Sequence, residues 1–381
     1  IGLPHNMGSS SAVPVDSLRS AAFTQKYGTA PSIMDYARFN YVAQPGDEGV
    51  SLMPNIGVYD KYAISWGYRP ILDAATAEDE KATLDAWILE HAGDARYRFG
   101  HQQAGGVVDP SSQTEDLGDD AIKASEYGIA NLKRIVPNLM EWTTKDGENY
   151  SDLSEMYGHV VSQFNRYMGH VSSNVGGVYE NFKTSDQEGA VYTHVSKDRQ
   201  RNSLKFVNEQ LFKTPSWLID KDIISKTEFS GITERISSLQ VRTLNNVLNM
   251  GRMARMVENE TLNGADAYTI TTLMYDLRKG IWSELSTGRN IDTYRRNLQR
   301  AHVERLATLL NTENTTRSRN SGYVKVTGVT PNRSDVIPVV RGELNRIKRD
   351  ANRAASNAPN TITRYHLQDI AARIDGILDP K

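Results

Sequence analysis

Ile1-Gly2-Leu3-Pro4-His5-Asn6-Met7-Gly8 opens the chain, and Ser32-Ile33-Met34-Asp35-Tyr36 follows, its Met34 placed 29 residues after His5. Glycine takes the left-handed backbone conformation that ends a helix, so Gly2 suits a point where the chain turns away. Pro4 cannot continue a helical hydrogen-bond ladder and stiffens the approach. His5 then offers an imidazole on chain that has just left a helix. Met34 brings a polarizable side chain suited to irregular packing. Tyr36 adds a hydroxyl two residues later. Each feature alone is weak, because a lone histidine is more often structural than a ligand. Both stretches in this order are harder to ascribe to a chance surface turn and an ordinary core methionine.

Gly2 and His5 have the spacing of the final G-x-x-H in H-E-x-x-H-x-x-G-x-x-H, the zinc signature that precedes a Met-turn. Ser-Ile-Met-Asp-Tyr is similar to the S-x-M-x-Y form of that turn. Together with Pro31 and the run Ala37-Arg38-Phe39-Asn40-Tyr41, the chain resembles the C-terminal catalytic region of large secreted bacterial metzincin-like zinc metallopeptidases. The resemblance implies His5 as third zinc ligand and Met34 as the floor beneath the metal. It implies Tyr36 as a catalytic residue that hydrogen-bonds a reacting oxygen. The reaction implied is peptide hydrolysis by a zinc-activated water. The first two zinc histidines and the general-base glutamate would lie within roughly seven residues upstream of Ile1. On that reading this chain alone is inactive and holds little zinc, and its partners are a peptide substrate and the upstream part of the same polypeptide. Asn6 has no assigned role.

Composition narrows the alternatives. The 381 residues suffice for two or three domains with sizeable cores. A net charge of −2 gives no electrostatic case for nucleic acid. No cysteine is present, which rules out disulfides and thiolate zinc sites. No apolar run approaches the roughly 18 residues of a membrane span. No signal peptide is visible, and a periplasmic or extracellular location rests on the resemblance only.

Along the chain, one short helix is expected over Asp16–Tyr27 and another over Tyr59–Tyr68, with Tyr62, Ile64 and Trp66 partly buried. The metzincin-like part is placed at 1–70 and a helical domain at 71–381, with 185–230 as the candidate break between two subdomains. Helical periodicity marks 78–91, 119–140, 152–182, 197–212, 233–259, 265–285, 292–310, 334–355 and 361–378. A strand is expected over Ala190–Val195, and Tyr323–Val326 reads as extended. The fold class expected is mainly α. The long loop 97–118 contains Gly105-Gly106 and leads into an acidic group, Asp109, Glu115, Asp116, Asp119 and Asp120. These oxygens suit calcium, although their spacing is not that of an EF-hand. Capping of the following helix is the favoured reading. His159 and His170 are about 16 Å apart along one helix and cannot share a metal. Met250, Met253 and Met256 read as core filler, and the basic run 341–353 as a solvated helix face. The rival to the peptidase reading is a non-catalytic helical interaction domain.

Overall fold

From Glu78 onward, apolar residues recur at three- and four-residue steps, and most of that chain is helical. A computed structural model describes residues 2–103, 107–311, 319–321, 324–326 and 334–379. The structure is mainly α, as expected from the sequence. Among the described residues, strand is confined to two short antiparallel pairs. Residues 1–135 and 177–194 make one compact unit, and residues 136–176 and 195–381 make another.

The first unit contains α1 (Ala21–Tyr27), α2 (Val58–Tyr68), α3 (Ala77–Leu89) and α4 (Ala121–Ile135). Strand β1 (Val178–Glu180) pairs with β2 (Tyr192–His194), with Tyr179 opposite Thr193. Much of the remaining chain is loop and tight turn. A small apolar cluster of Val13, Val15, Leu18, Val42, Leu117 and Ala124 is buried, with Phe23, Tyr41 and Tyr127 against it. Burying side chains of this kind stabilises by about 1.5–3 kcal/mol each. Side-chain amides tie the surrounding loops together. Asn40 Nδ2 donates to Leu18 O at 2.8 Å, and Asn131 Nδ2 donates to Tyr41 O and Ala43 O at 3.0 and 2.9 Å.

The second unit holds α5 (Leu139–Thr143), α6 (Ser151–Ser172), α7 (Lys197–Val207), α8 (Lys221–Thr227), α9 (Ile232–Val247), α10 (Met250–Asn263), α11 (Ile270–Ile281), α12 (Glu284–Thr287), α13 (Thr293–Asn311), α14 (Val336–Ala355) and α15 (Thr361–Leu378). Strands β3 (Arg319–Ser321) and β4 (Val324–Val326) pair antiparallel. Along α6, Leu153, Tyr157, Val160, Phe164, Met168 and Val171 are buried, as a helix with one apolar face requires. The connection between α14 and α15 is short, so the two pack side by side. Val340, Leu344, Ile347 and Ala351 are buried on one helix, and Leu367, Ile370 and Ile374 on the other.

Several boundaries differ from expectation. The helix expected over 16–27 is split: Val15–Arg19 is a 3-10 turn, and α1 begins after Ser20, whose hydroxyl accepts from Phe23 N. Ile64 and Trp66 are exposed. The pattern at 119–140 yields α4 and then, after a turn at Val136–Asn138, α5. The pattern at 152–182 stops at Ser172. Ser173 Oγ and Asn174 Nδ2 donate to His170 O and Val171 O, and Gly176 follows at φ 63°. Arg252 Nη1 then donates to Ser172 O and Val175 O at 2.7 and 2.8 Å, a cation where a helix C-terminus favours one. The expected helix 233–259 breaks at Asn249, whose side chain caps α10 by accepting from Gly251 N at 2.8 Å. The partner strand of 192–194 was not expected. Gly105-Gly106 and Tyr323 lie outside the described residues.

Candidate active site

His5 and Met34 meet through the backbone. The Met34 carbonyl lies 3.3 Å from His5 Nδ1 and accepts from Asn6 N at 2.9 Å. A carbonyl only accepts, so Nδ1 carries the ring proton and Nε2 keeps its lone pair. That is how a metal-ligating histidine is usually oriented by a neighbouring acceptor. The Tyr36 ring stands edge-on to the His5 ring, with centroids 5.0 Å apart and planes at 76°. His5 and Tyr36 are exposed and Met34 is half-buried. The three residues singled out in the sequence thus stand together on an open surface.

The loop carrying His5 is fixed by its neighbour. Asn6 is fully buried. Its Nδ2 donates to Arg98 O at 2.9 Å, and its Oδ1 accepts from Gly100 N at 2.8 Å and Gly8 N at 3.3 Å. Met7 N donates to Gly100 O at 2.7 Å. The two backbones approach so closely at Gly8 and Gly100 that a Cβ on Gly100 would lie 2.7 Å from Gly8 Cα. Either glycine is therefore required for the approach, whatever its φ. Gly2 itself has φ 79°, in the left-handed region.

The turn holding Met34 is fixed from beneath. Ser32 Oγ accepts from Met34 N at 3.0 Å and donates to Asp60 Oδ1 at 2.6 Å. Asp60, on α2, also accepts from Ile33 N at 3.0 Å and Gly57 N at 2.7 Å. Tyr36 takes φ 65°, a left-handed conformation unusual for a side chain of its size. Asp35 is fully buried, and its Oδ2 accepts from Ser10 N at 2.5 Å. Burial pushes its carboxyl up to about 7, while the Ser10 amide and hydroxyl, the Ser9 amide and the Arg98 charge pull the other way. Asp116, also buried, is raised well above the usual carboxylate range by burial and then by the Asp35 charge.

Other residues weighed from the sequence have plainer roles. Asp120 Oδ1 accepts from Ile122 N and Lys123 N at the start of α4, which is the expected cap. Asp119 Oδ1 accepts from Val15 N, and Glu115 forms an ion pair with Arg38. Met253 and Met256 are core residues. The buried Asn6, Asp35, Asp60 and Asp116, with the half-buried Arg98, were missed as a set. Asn6, Asp35 and Asp116 each stood in a stretch singled out from the sequence, but no spacing joined them to one another.

Residues 1–288 match a family model described as Met-zincin, and the chain belongs to that family. No curated protein and no solved structure matches it. Among the described residues, no helix is long and apolar enough to cross a membrane.

Proposed function

We propose that the chain is the C-terminal catalytic region of a zinc metalloendopeptidase that works in the periplasm or outside the cell. Residues 1–70 complete the catalytic domain, and residues 71–381 form a helical part. The observation that supports this most is the Met34 carbonyl on His5 Nδ1, which leaves Nε2 as the metal-facing nitrogen. The residues present fit zinc as one of its three protein ligands. When bound, zinc supplies Lewis acidity at a peptide carbonyl and lowers the pKa of water toward neutrality.

The chain's own residues then divide the work. His5 holds the metal with its tautomer fixed by Met34 O. Met34 would serve as the packing floor of that site. The exposed Tyr36 hydroxyl donates to oxygen charge that develops on the scissile carbonyl, where a well-placed donor accelerates most. The other two histidines and the glutamate that takes the proton come from polypeptide upstream of Ile1. The 381-residue chain alone therefore neither retains zinc nor cleaves peptides.

The experiment compares this chain with one extended upstream through H-E-x-x-H, using zinc content and cleavage of a peptide library. The extended chain is expected to bind zinc and cleave. Its Tyr36→Phe variant is expected to keep zinc and lose turnover, by about 10²–10³-fold if Tyr36 acts as such a donor. Equal cleavage by the short and extended chains, or full turnover by Tyr36→Phe, defeats these assignments.

A further inference from the structure

In the second unit, residues from α7, α11, α12, α13 and the turns between them line a cavity of about 840 Å³. Its floor is rigid and neutral. Arg295 is 4% exposed, and its Nε and Nη2 bond Glu284 Oε1 and Oε2 at 2.6 and 2.9 Å. The same guanidinium donates to Phe212 O, Gly280 O and Ile281 O. A Cβ on Gly280 would lie 2.1 Å from Asn208 Oδ1, so glycine is what lets the Asn208 side chain lie against α11. Lys213 N donates to Asn208 O at 2.8 Å, the i+5 bond of a π-turn over Asn208–Phe212, a distortion frequent at functional sites.

Six cations and four carboxylates line the cavity, which leaves two positive charges in surplus. The four carboxylates are all engaged. Glu284 pairs with Arg295. Asp276 accepts from the Tyr268 hydroxyl at 2.9 Å and lies 3.5 Å from Arg201 Nε. Asp292 accepts from Thr214 Oγ1 and Arg295 N, both at 2.9 Å. Glu209 Oε1 lies 3.8 Å from Lys205 Nζ. Lys213, Lys279 and Arg289 remain. All three are exposed, and among the described residues their side chains have no partner. They come from the end of the π-turn, from α11 and from the turn before α13, yet line one cavity. A cleft with low-dielectric walls focuses the field of such charges and concentrates anions.

We infer that this cavity binds an organic phosphate monoester, its phosphate held by Lys213, Lys279 and Arg289. Such a group carries close to two negative charges at pH 7 and offers three acceptor oxygens, which matches the surplus. The two ammonium groups supply point charge, and the guanidinium fork takes two phosphate oxygens at once. A bare phosphate ion would leave most of the volume empty. About 840 Å³ instead falls within the roughly 300–1,000 Å³ of small-molecule sites. The Ser283 and Thr287 hydroxyls and the Asn290 amide, also on the lining, serve the organic part. The site is independent of whether His5 binds zinc.

The test titrates the whole chain with phenyl phosphate by calorimetry, beside inorganic phosphate and the singly charged benzenesulfonate. One saturable site for phenyl phosphate is expected, with the other two anions about tenfold weaker or worse. Lys213→Gln, Lys279→Gln and Arg289→Gln, all at exposed positions, should each weaken binding about tenfold, the loss of roughly one charge-assisted hydrogen bond. The triple variant should abolish it, and Lys61→Gln in the first unit should leave it unchanged. Circular dichroism confirms that each variant is folded. A folded parent that does not bind phenyl phosphate at millimolar concentration overturns the inference, and so does binding that survives the triple substitution. Inorganic phosphate or benzenesulfonate bound as tightly as phenyl phosphate overturns it too.

Discussion

Asn6 fixes its loop by reaching Arg98 and Gly100, 92 and 94 residues away, whereas Leu344, Ile347 and Ala351 fix α14 by recurring along one face of a single helix. The first unit is held largely by such long-range polar ties, with a small apolar cluster. The second is held by apolar helix faces, with buried cations such as Arg295 closing the gaps. Arg295 Nη1 donates to Phe212 O at 2.5 Å, and its Nε reaches Glu284 Oε1 at 2.6 Å. The contrast teaches that precision at a site and stability of a scaffold draw on different interactions. Directional bonds place His5 within reach of Met34 O, and non-directional burial does not.

If the contrast is right, the largest effect belongs to the helical core. Phe164 is fully buried, edge-on to Trp217 with centroids 5.3 Å apart. Phe164→Ala should cost about 3–5 kcal/mol in denaturant unfolding. A loss under about 1 kcal/mol would show that this core is loosely packed.

The two units should also respond to pH with opposite signs. Burial pushes His302 and His366 down to about 3. Arg278 beside His302, and Arg300, Arg296 and Arg373 beside His366, push the same way, while Asp369 opposes them. The unfolded chain binds more protons below the usual imidazole value of about 6.5, so this stability is lost as pH falls from there toward 3. At pH 5 the loss is about 2 kcal/mol per histidine at most. Asp35, raised to about 7, works in reverse. Its contribution is complete below the usual carboxylate value of about 3.9 and lost as pH rises through about 7. Native-state hydrogen exchange, corrected for intrinsic rates, should show α13 protection falling between pH 7.5 and 5 while protection around Ser10 rises. Parallel changes would erase the distinction.

Asn6→Ala should be smaller in stability yet larger at the site. It leaves Gly100 N and Arg98 O without their partner, at about 1–3 kcal/mol. It should also weaken zinc binding by the extended protein, which Phe164→Ala should leave intact where the protein remains folded. The smallest effect is expected at an exposed helix start. Thr76 Oγ1 accepts from Asp79 N, and Asp79 accepts from Thr76 N. Thr76→Ala should cost about 1 kcal/mol, read as a small shift of the urea midpoint.

The same contrast explains what the sequence made legible. Helix α15 spans Thr361–Leu378, the limits its periodicity marked, because each buried residue repeats the signal of the last. Periodicity alone cannot see a cap inside a continuous apolar stripe, so the break at Asn249 and the stop at Ser172 were missed. At the site, His5, Met34 and Tyr36 were legible as residue types at a spacing. Asn6, Asp60, Arg98 and Asp116 were not. Their roles depend on partners in distant loops, which carry no period.

That His5 is a zinc ligand is tested most directly by elemental analysis of the upstream-extended protein beside its His5→Ala variant, with circular dichroism to confirm that both are folded. The parent should carry stoichiometric zinc and the folded variant should have lost it, because removing one of three protein ligands removes most of the affinity. A folded His5→Ala protein that retains stoichiometric zinc would contradict the assignment.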